Sequence, residues 1–284
     1  MILITGANGQ LGKDIELVCK EKGLSFISTD TKNMDITDID QIESIFEKNP
    51  ITAVIHCAAY TAVDKAEDEK ELCLKINVEG TTNLAEVCAK HHIKMLYLST
   101  DYVFDGSKDG FYEISDHANP LGVYGLSKHL GEVAVKSKVV EHFIVRISWV
   151  FGYHGHNFVR TMLKLAETRD RLNVVSDQWG SPTYTKDLAP LLVEMIHSDK
   201  YGTYHVTNEG ECSWFEFATK IFNEAGKNTI VNPISTSEYP TKARRPMNSR
   251  LSKISLDSAG FKRLPTWESA LHRYILELKD GGIL

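Results

Sequence analysis

Short apolar runs at residues 1–4, 24–28, 53–57, 95–99 and 143–147 alternate along the first half of the chain with amphipathic stretches at 11–22, 39–48, 71–91 and 123–138. The runs have the length of strands, and the stretches between them repeat their apolar positions every three to four residues, as helices do. Connections long enough for crossover helices make the strands parallel, so the pattern predicts a doubly wound α/β sheet of Rossmann type, covered on both faces. After about residue 150 the pattern changes: turn-rich pieces at 151–157, 176–185 and 232–250 separate helical stretches at 158–168, 186–198, 214–225 and 267–278. We therefore expect a dinucleotide-binding domain over residues 1–150. Residues 151–284 would form a smaller α/β lobe, mainly substrate-binding, with segments returning to the main sheet and the active site in the cleft between the two parts.

The first turn of this pattern already carries chemistry. Directly after Ile2-Leu3-Ile4 the chain reads Thr5-Gly6-Ala7-Asn8-Gly9-Gln10-Leu11-Gly12, with three glycines at three-residue spacing ahead of a helix. Glycine permits positive φ and close approach of a ligand to the backbone. A helix start presents unpaired N–H groups and the positive end of its dipole, which suits a pyrophosphate. The spacing is Gly-x-x-Gly-x-x-Gly, not the commoner Gly-x-Gly-x-x-Gly, and a tight strand-to-helix loop is the plainer alternative.

Composition narrows the field. The 284 residues are 42% hydrophobic and 25% charged, with a formal net charge of −6, which gives no reason to expect a nucleic-acid partner. An anionic ligand must be met by local positive features. No stretch approaches the roughly 20 apolar residues of a membrane span, and the chain opens on a strand without a signal peptide's basic region. Cys19, Cys57, Cys73, Cys88 and Cys212 fit neither a disulfide framework nor a metal pattern and read as reduced thiols. A cytoplasmic protein is expected.

Tyr124-Gly125-Leu126-Ser127-Lys128 sets a phenol and an ammonium one helical turn apart, on one face. The ammonium would draw the tyrosine pKa down from about 10, and such a tyrosine can protonate a carbonyl oxygen while hydride reaches the carbon. In a chain with 11 tyrosines the spacing alone is close to chance. Its setting raises it, because Ser99 and Thr100 close the fourth strand with hydroxyls where the sheet opens. No Gly-x-Ser-x-Gly elbow occurs. His91-His92 and His154-Gly155-His156 have no acidic or cysteine partners at metal spacing. Lys242, Arg244, Arg245 and Arg250 form a basic cluster, either a solvated loop or a clamp on a diphosphate.

Residues 5–12, 99–106 and 124–128 together resemble the extended short-chain dehydrogenase/reductase family. Residues 58–67, 120–125, 146–150 and 177–183, with Arg245-Pro246 and Ser249-Arg250-Leu251, bring the likeness closer to that family's reductases of dTDP-linked 4-keto-deoxysugars, which serve cell-surface polysaccharide synthesis. The resemblance implies reduction of the 4-keto group by NADPH or NADH. Gly6, Gly9, Gln10, Leu11 and Gly12 would hold the pyrophosphate. Asp30 would hold the adenosine ribose unless it is a solvated turn carboxylate, and Asp35 and Ile36 would flank adenine. Ala59, Tyr60 and Thr61 would follow the cofactor, Thr100 and Asp101 would reach the sugar, and Tyr124 and Lys128 would serve catalysis and the nicotinamide ribose. Trp149 would stack on or hydrogen-bond the sugar unless it is core packing. Asp30 disfavours a 2′-phosphate while Lys32 could accept one, so the choice of cofactor stays open. A homodimer is allowed, but the magnesium ion of some relatives is not carried over, because Lys186 stands where an acidic ligand is expected. An epimerase or dehydratase on the same scaffold, or a non-catalytic regulatory subunit, stays open as an alternative.

Overall fold

The computed structural model describes residues 1–284. Its first half runs β1 (Ile2–Thr5), α1 (Gln10–Glu21), β2 (Phe26–Thr29), α2 (Ile39–Lys48), β3 (Ala53–His56), α3 (Val63–Ala66), α4 (Lys70–Leu74), α5 (Thr81–Lys90), β4 (Lys94–Thr100), α6 (Val123–Lys138) and β5 (His142–Ile147). The second half follows with β6 (Val150–Phe151), α7 (Phe158–Leu165), β7 (Arg171–Val175), β8 (Trp179–Gly180), β9 (Thr183–Tyr184), α8 (Thr185–Ile196) and β10 (Gly202–His205). It closes with β11 (Cys212–Ser213), α9 (Trp214–Ala225), β12 (Ile230–Ile234), α10 (Ile254–Ala259) and α11 (Trp267–Asp280).

Six strands form one sheet in the order β10-β5-β4-β3-β1-β2, every pair parallel. Successive side chains of a strand point to opposite faces, and here both faces are apolar. Ile2, Ile4, Ile55, Leu96, Leu98 and Val145 pack with α1 and α8, while Leu3, Val54, Met95, Tyr97 and Ile144 pack with α2, α5 and α6. That double burial is why these strands read as continuous apolar runs. The strand order reverses at β1, with β2 on one side and β3 on the other, so the glycine turn after β1 sits at the switch point where such sheets bind ligands. The expected return of the later chain to the sheet is β10, which pairs with β5 from Gly202–Phe143 to His205–Arg146.

Two expectations need correction. The helix read over 71–91 is interrupted: α4 passes through a π-helical turn at Lys75–Gly80 before α5. A π turn differs from the α-helix in the step of its backbone hydrogen bonds, i→i+5 in place of i→i+4, which the apolar positions of so short a stretch do not specify. The segments read as turns at 176–185 and 232–250 contain β8, β9 and the end of β12, which pair with β11, β6 and β7 respectively. Strands of two residues are too short for a period to show, and Pro233 hides β12, where it is tolerated because a two-stranded ribbon has only edges. A second apolar core, with Phe151, Tyr184, Phe217, Phe222, Trp267 and Tyr274 among its largest members, holds this part together.

Candidate active site

The carboxyl ends of the first five strands open into a cleft of about 940 Å3, within the range of small-ligand sites. The residues expected to hold the cofactor and sugar or to carry the reaction all line it except Tyr60, whereas Lys32 and the basic residues Lys242, Arg244, Arg245 and Arg250 do not. The three glycines of the first turn answer to different constraints. Gly6 has φ +67°, and a Cβ there would lie 2.5 Å from the Ala58 nitrogen at the end of β3. A Cβ on Gly12 would lie 2.5 Å from the Gly6 carbonyl oxygen, so this glycine lets α1 close on the turn. Gly9 has an ordinary φ of −74° and only one moderately close neighbour, so its bare backbone serves the cleft. As the cap of α1 it offers no side-chain bond, and the first turn holds no acidic residue. The helix N–H groups thus remain for an anion. Gln10 ties this turn to the far wall, donating to the His156 carbonyl at 3.1 Å and accepting from Asn157 Nδ2 at 3.0 Å.

Asp30 follows β2 directly. Its Oδ1 accepts from the Lys32 backbone N–H at 2.8 Å and its Oδ2 from the Asn8 side chain. Asp35 accepts from the Thr37 N–H and hydroxyl, each at 2.9 Å, which fixes the loop where Ile36 is buried. These two carboxylates and the glycine turn form a cradle that suits a dinucleotide. Tyr60 departs from expectation: its hydroxyl donates to Glu69 Oε2 at 2.6 Å, away from the cleft, while Ala59 and Thr61 on either side line it. The π-helical turn explains how this loop is held. It places Asn77 to accept from the Tyr60 N–H at 2.7 Å and to donate to the Tyr60 carbonyl at 3.0 Å and to Ser127 Oγ at 2.9 Å. Periodicity gave no signal for Asn77.

Thr100 ends β4, and Tyr124 and Lys128 lie in the first two turns of α6. The expected lowering of the tyrosine pKa by the lysine is not what the structure gives. Burial pushes the Tyr124 phenol well above its usual value, with the Thr100 hydroxyl the main opposing influence. Burial likewise lowers Lys128 to about 7, against the pull of Glu132, which favours its charged form. The Lys128 ammonium lies over the Tyr97 ring, 4.1 Å from its centroid, so an aromatic face takes part of its charge. Tyr124 is therefore a neutral phenol at pH 7, the protonation state that a donor needs.

Trp149 stands at the cleft mouth with φ +48°, a left-handed conformation rare for a side chain of this size. Trp214 covers one face of its indole, the rings 3.6 Å apart and 11° from parallel, and Gly180 packs close against its Nε1–Cζ2 edge. The ring is thus held by the second core while still facing the cleft. Asp101 is buried, and one of its oxygens has no partner. The basic cluster is largely engaged: Arg245 pairs with Asp64 at 2.7 Å, Arg250 with Glu211 at 3.2 Å, and Lys242 with Asp68, leaving only Arg244 without an ion pair.

Under these groups lies a network that sequence reading missed. Arg146 on β5 donates to Glu132 of α6 through Nε at 2.8 Å and through a second nitrogen at 2.7 Å, both residues fully buried. Ser99 donates to the same carboxylate at 2.6 Å. The third guanidinium nitrogen meets His205 Nε2 at 3.3 Å. Burial lowers His205 to about 3, so it is neutral, accepts at Nε2 and donates from Nδ1 to the Tyr112 carbonyl at 3.1 Å. The i,i+4 step from Lys128 to Glu132 was a usable signal, whereas the partners on β5 and β10 were not.

The family model described as RmlD substrate binding domain matches residues 1–279. A dTDP-4-dehydrorhamnose reductase of Aggregatibacter actinomycetemcomitans is 41% identical over 283 residues, covering 95% of this chain and 96% of that protein. The spore coat polysaccharide biosynthesis protein SpsK of Bacillus subtilis is 41% identical over 276 residues, covering 97% of each. Among solved structures, the dTDP-4-dehydrorhamnose reductase of Bacillus anthracis in complex with NADP superposes with a TM-score of 0.94 at 43% identity, over 97% of this chain and 98% of that one. A Thermus thermophilus UDP-glucose 4-epimerase complex with NAD shares the fold alone, with a TM-score of 0.83 at 21% identity.

Proposed function

The chain belongs to the RmlD substrate binding domain family, and we infer that it is an NAD(P)H-dependent oxidoreductase that reduces the 4-keto group of dTDP-4-dehydro-L-rhamnose, giving dTDP-L-rhamnose for polysaccharide synthesis. The observation that carries the site assignment is the convergence of Thr100, Tyr124 and Lys128 in the same cleft as the glycine turn. NAD(P)H supplies the hydride when bound. The N–H groups at the start of α1, with Gly9 and Gln10, hold its pyrophosphate, Asp30 its adenosine ribose, Asp35 and Ile36 its adenine, and Ala59 and Thr61 follow it along β3. Residues 1–150 thus hold the cofactor, and residues 151–284 mainly the sugar nucleotide.

In this reading Tyr124 gives its phenolic proton to the C4 oxygen as the carbon is reduced, and the Thr100 hydroxyl orients that oxygen. Lys128 holds the nicotinamide ribose, and its charge steadies the phenolate that Tyr124 becomes. Asp101 and Trp149 bound the sugar. The free cysteines support a reducing, cytoplasmic setting; no helix is long and apolar enough to cross a membrane. A homodimer belongs to the same reading, supported by the exposed Leu126, Leu130 and Val133 at one-turn spacing on α6. Its check is the sedimentation of the purified protein.

The test is oxidation of NADH and NADPH followed against a panel of nucleotide-linked 4-keto sugars. The expected result is turnover with dTDP-4-dehydro-L-rhamnose that consumes one added cofactor per product. Protein that carries its own NAD and interconverts sugars without added NAD(P)H would instead be an epimerase or dehydratase.

A further inference from the structure

We propose that Tyr97 is the positioning residue for Lys128: its ring seats the ammonium, and its hydroxyl, in the space that Gly131 leaves, ties down the helix turn that carries it. The proposal rests on the reading of Lys128 as the holder of the nicotinamide ribose. Lys128 lines the cleft yet is only 3% exposed, and a buried ammonium needs a partner. No carboxylate takes that place. Glu132, one turn further along α6, is held by Arg146 at 2.8 and 2.7 Å and by Ser99 at 2.6 Å, and none of the ion pairs includes Lys128. What lies against the ammonium is the Tyr97 ring, 4.1 Å away at its centroid. An aromatic face attracts a cation without offering an acceptor that would compete with a ribose hydroxyl. The lysine is thus held in place while its donors stay free for a ligand.

Tyr97 sits in the middle of β4, fully buried, on the sheet face that α6 covers. Its hydroxyl donates to the Lys128 carbonyl at 3.2 Å, so one side chain meets the lysine at both its backbone and its ammonium. Gly131, buried in the interior of α6, makes room for this, because a Cβ there would overlap the Tyr97 hydroxyl. Glycine inside a helix costs stability relative to alanine, and here it permits the close approach of the phenol. His56 packs beside the ring, 5.6 Å between centroids and 32° between planes. Its Nδ1 meets Thr5 Oγ1 at 2.7 Å, and its Nε2 meets Thr81 Oγ1 at 3.1 Å. Burial lowers His56 to about 3, so it is neutral and sets no charge against the ammonium. Thr5 leads into Gly6. A continuous line of contacts therefore joins the turn proposed for the pyrophosphate to the seat of Lys128.

The test measures binding of NADH and of ADP, which has the pyrophosphate but no nicotinamide ribose, by calorimetric titration of wild type, Tyr97→Leu, Tyr97→Phe, Gly131→Ala and Lys128→Met. Tyr97→Leu should weaken NADH on the order of 10-fold and leave ADP unchanged. Tyr97→Phe keeps the ring and loses only the tie to the carbonyl, so its loss should be smaller, about 3-fold. Gly131→Ala should weaken NADH as Tyr97→Leu does, and adding Tyr97→Phe to it should recover part of the loss. That pair carries the test if Tyr97→Leu does not fold. On a Lys128→Met background, Tyr97→Leu should cost no further affinity. A leucine variant that binds NADH as wild type does, or that loses NADH and ADP alike, would overturn the proposal, and so would a phenylalanine variant as weak as the leucine one. A Lys128→Met protein with wild-type NADH affinity would instead overturn the reading of Lys128 itself.

Discussion

On the side of the cleft proposed for the cofactor, eight consecutive residues from Thr5 to Gly12 form the whole turn, and what they supply is backbone: a positive φ at Gly6, an open face at Gly9 and a helix start without a side-chain cap. On the side proposed for the sugar, Trp149 and Asp101 arrive from separate segments and are held by side chains: Trp214 behind the indole and Thr100 beside the carboxyl. A wall of backbone tolerates little change in chain geometry but makes few demands on neighbours far along the sequence. A wall of side chains depends on long-range packing. The difference teaches where mutations should act on folding and where on chemistry.

The largest effect should fall on the support that both walls share. Arg146→Leu leaves Glu132 buried with its carboxylate unpaired, which costs about 3–5 kcal/mol, to be read by denaturant unfolding. The sign of its pH dependence follows from Glu132. Arg146 and the other donors hold this carboxyl well below the usual range, so its contribution is present above the normal carboxylate pKa and lost as pH falls. In the variant the carboxyl takes up a proton more readily, so the deficit against wild type should be greatest near neutrality and shrink toward acid pH. A Glu132→Leu/Arg146→Leu double variant should recover much of the loss. A single variant within about 1 kcal/mol of wild type at pH 7 would mean that the pair is not a support.

Next in size is the chemical step. Tyr124→Phe should lower kcat by at least ~100-fold with fold and cofactor affinity kept, as steady-state kinetics and NADH titration would report. Near-wild-type turnover would assign the proton to another group.

Within the backbone wall, two glycines should separate. Gly12→Ala puts a methyl 2.5 Å from the Gly6 carbonyl oxygen and 2.7 Å from the Ala7 Cα, and such overpacking costs about 1–3 kcal/mol of stability. Gly9→Ala meets only the Gly6 oxygen at 3.2 Å, so it should leave stability within about 1 kcal/mol while weakening NADH binding in a fluorescence titration. Equal stability losses in the two would show that Gly9 serves packing, not the ligand.

This contrast also governs what could be read from the chain alone. The sheet, its parallel order and the glycine turn were legible because strands buried on both faces and a turn of consecutive residues leave local marks. That Thr100, Tyr124 and Lys128 share one cleft was legible because they sit at a strand end and at i,i+4 on one helix. Asn77 was not, since its placement depends on a π-helical turn whose hydrogen-bond step the apolar positions do not specify. Nor were Arg146 and His205, whose role exists only once β5 pairs with β10. The pKa expectation failed for the same reason: spacing brings Lys128 near Tyr124, but only the fold shows that both are desolvated and that the ammonium lies over Tyr97.

The smallest effect should come from Trp149, and it sharpens the contrast because this residue joins a backbone constraint to a side-chain contact. If the indole binds the sugar equally in the ground and transition states, Trp149→Ala should raise KM for the sugar nucleotide roughly 10-fold and leave kcat nearly unchanged. The backbone at this position has φ +48°, which costs an L-residue roughly 1–2 kcal/mol and glycine almost nothing. Trp149→Gly should therefore match the alanine variant in KM yet be the more stable of the two, although both lose the stack on Trp214. Should kcat fall while KM holds in both variants, Trp149 aligns the sugar for reaction instead of merely holding it. Should the glycine variant be the less stable one, the left-handed backbone would be no strain on the native protein.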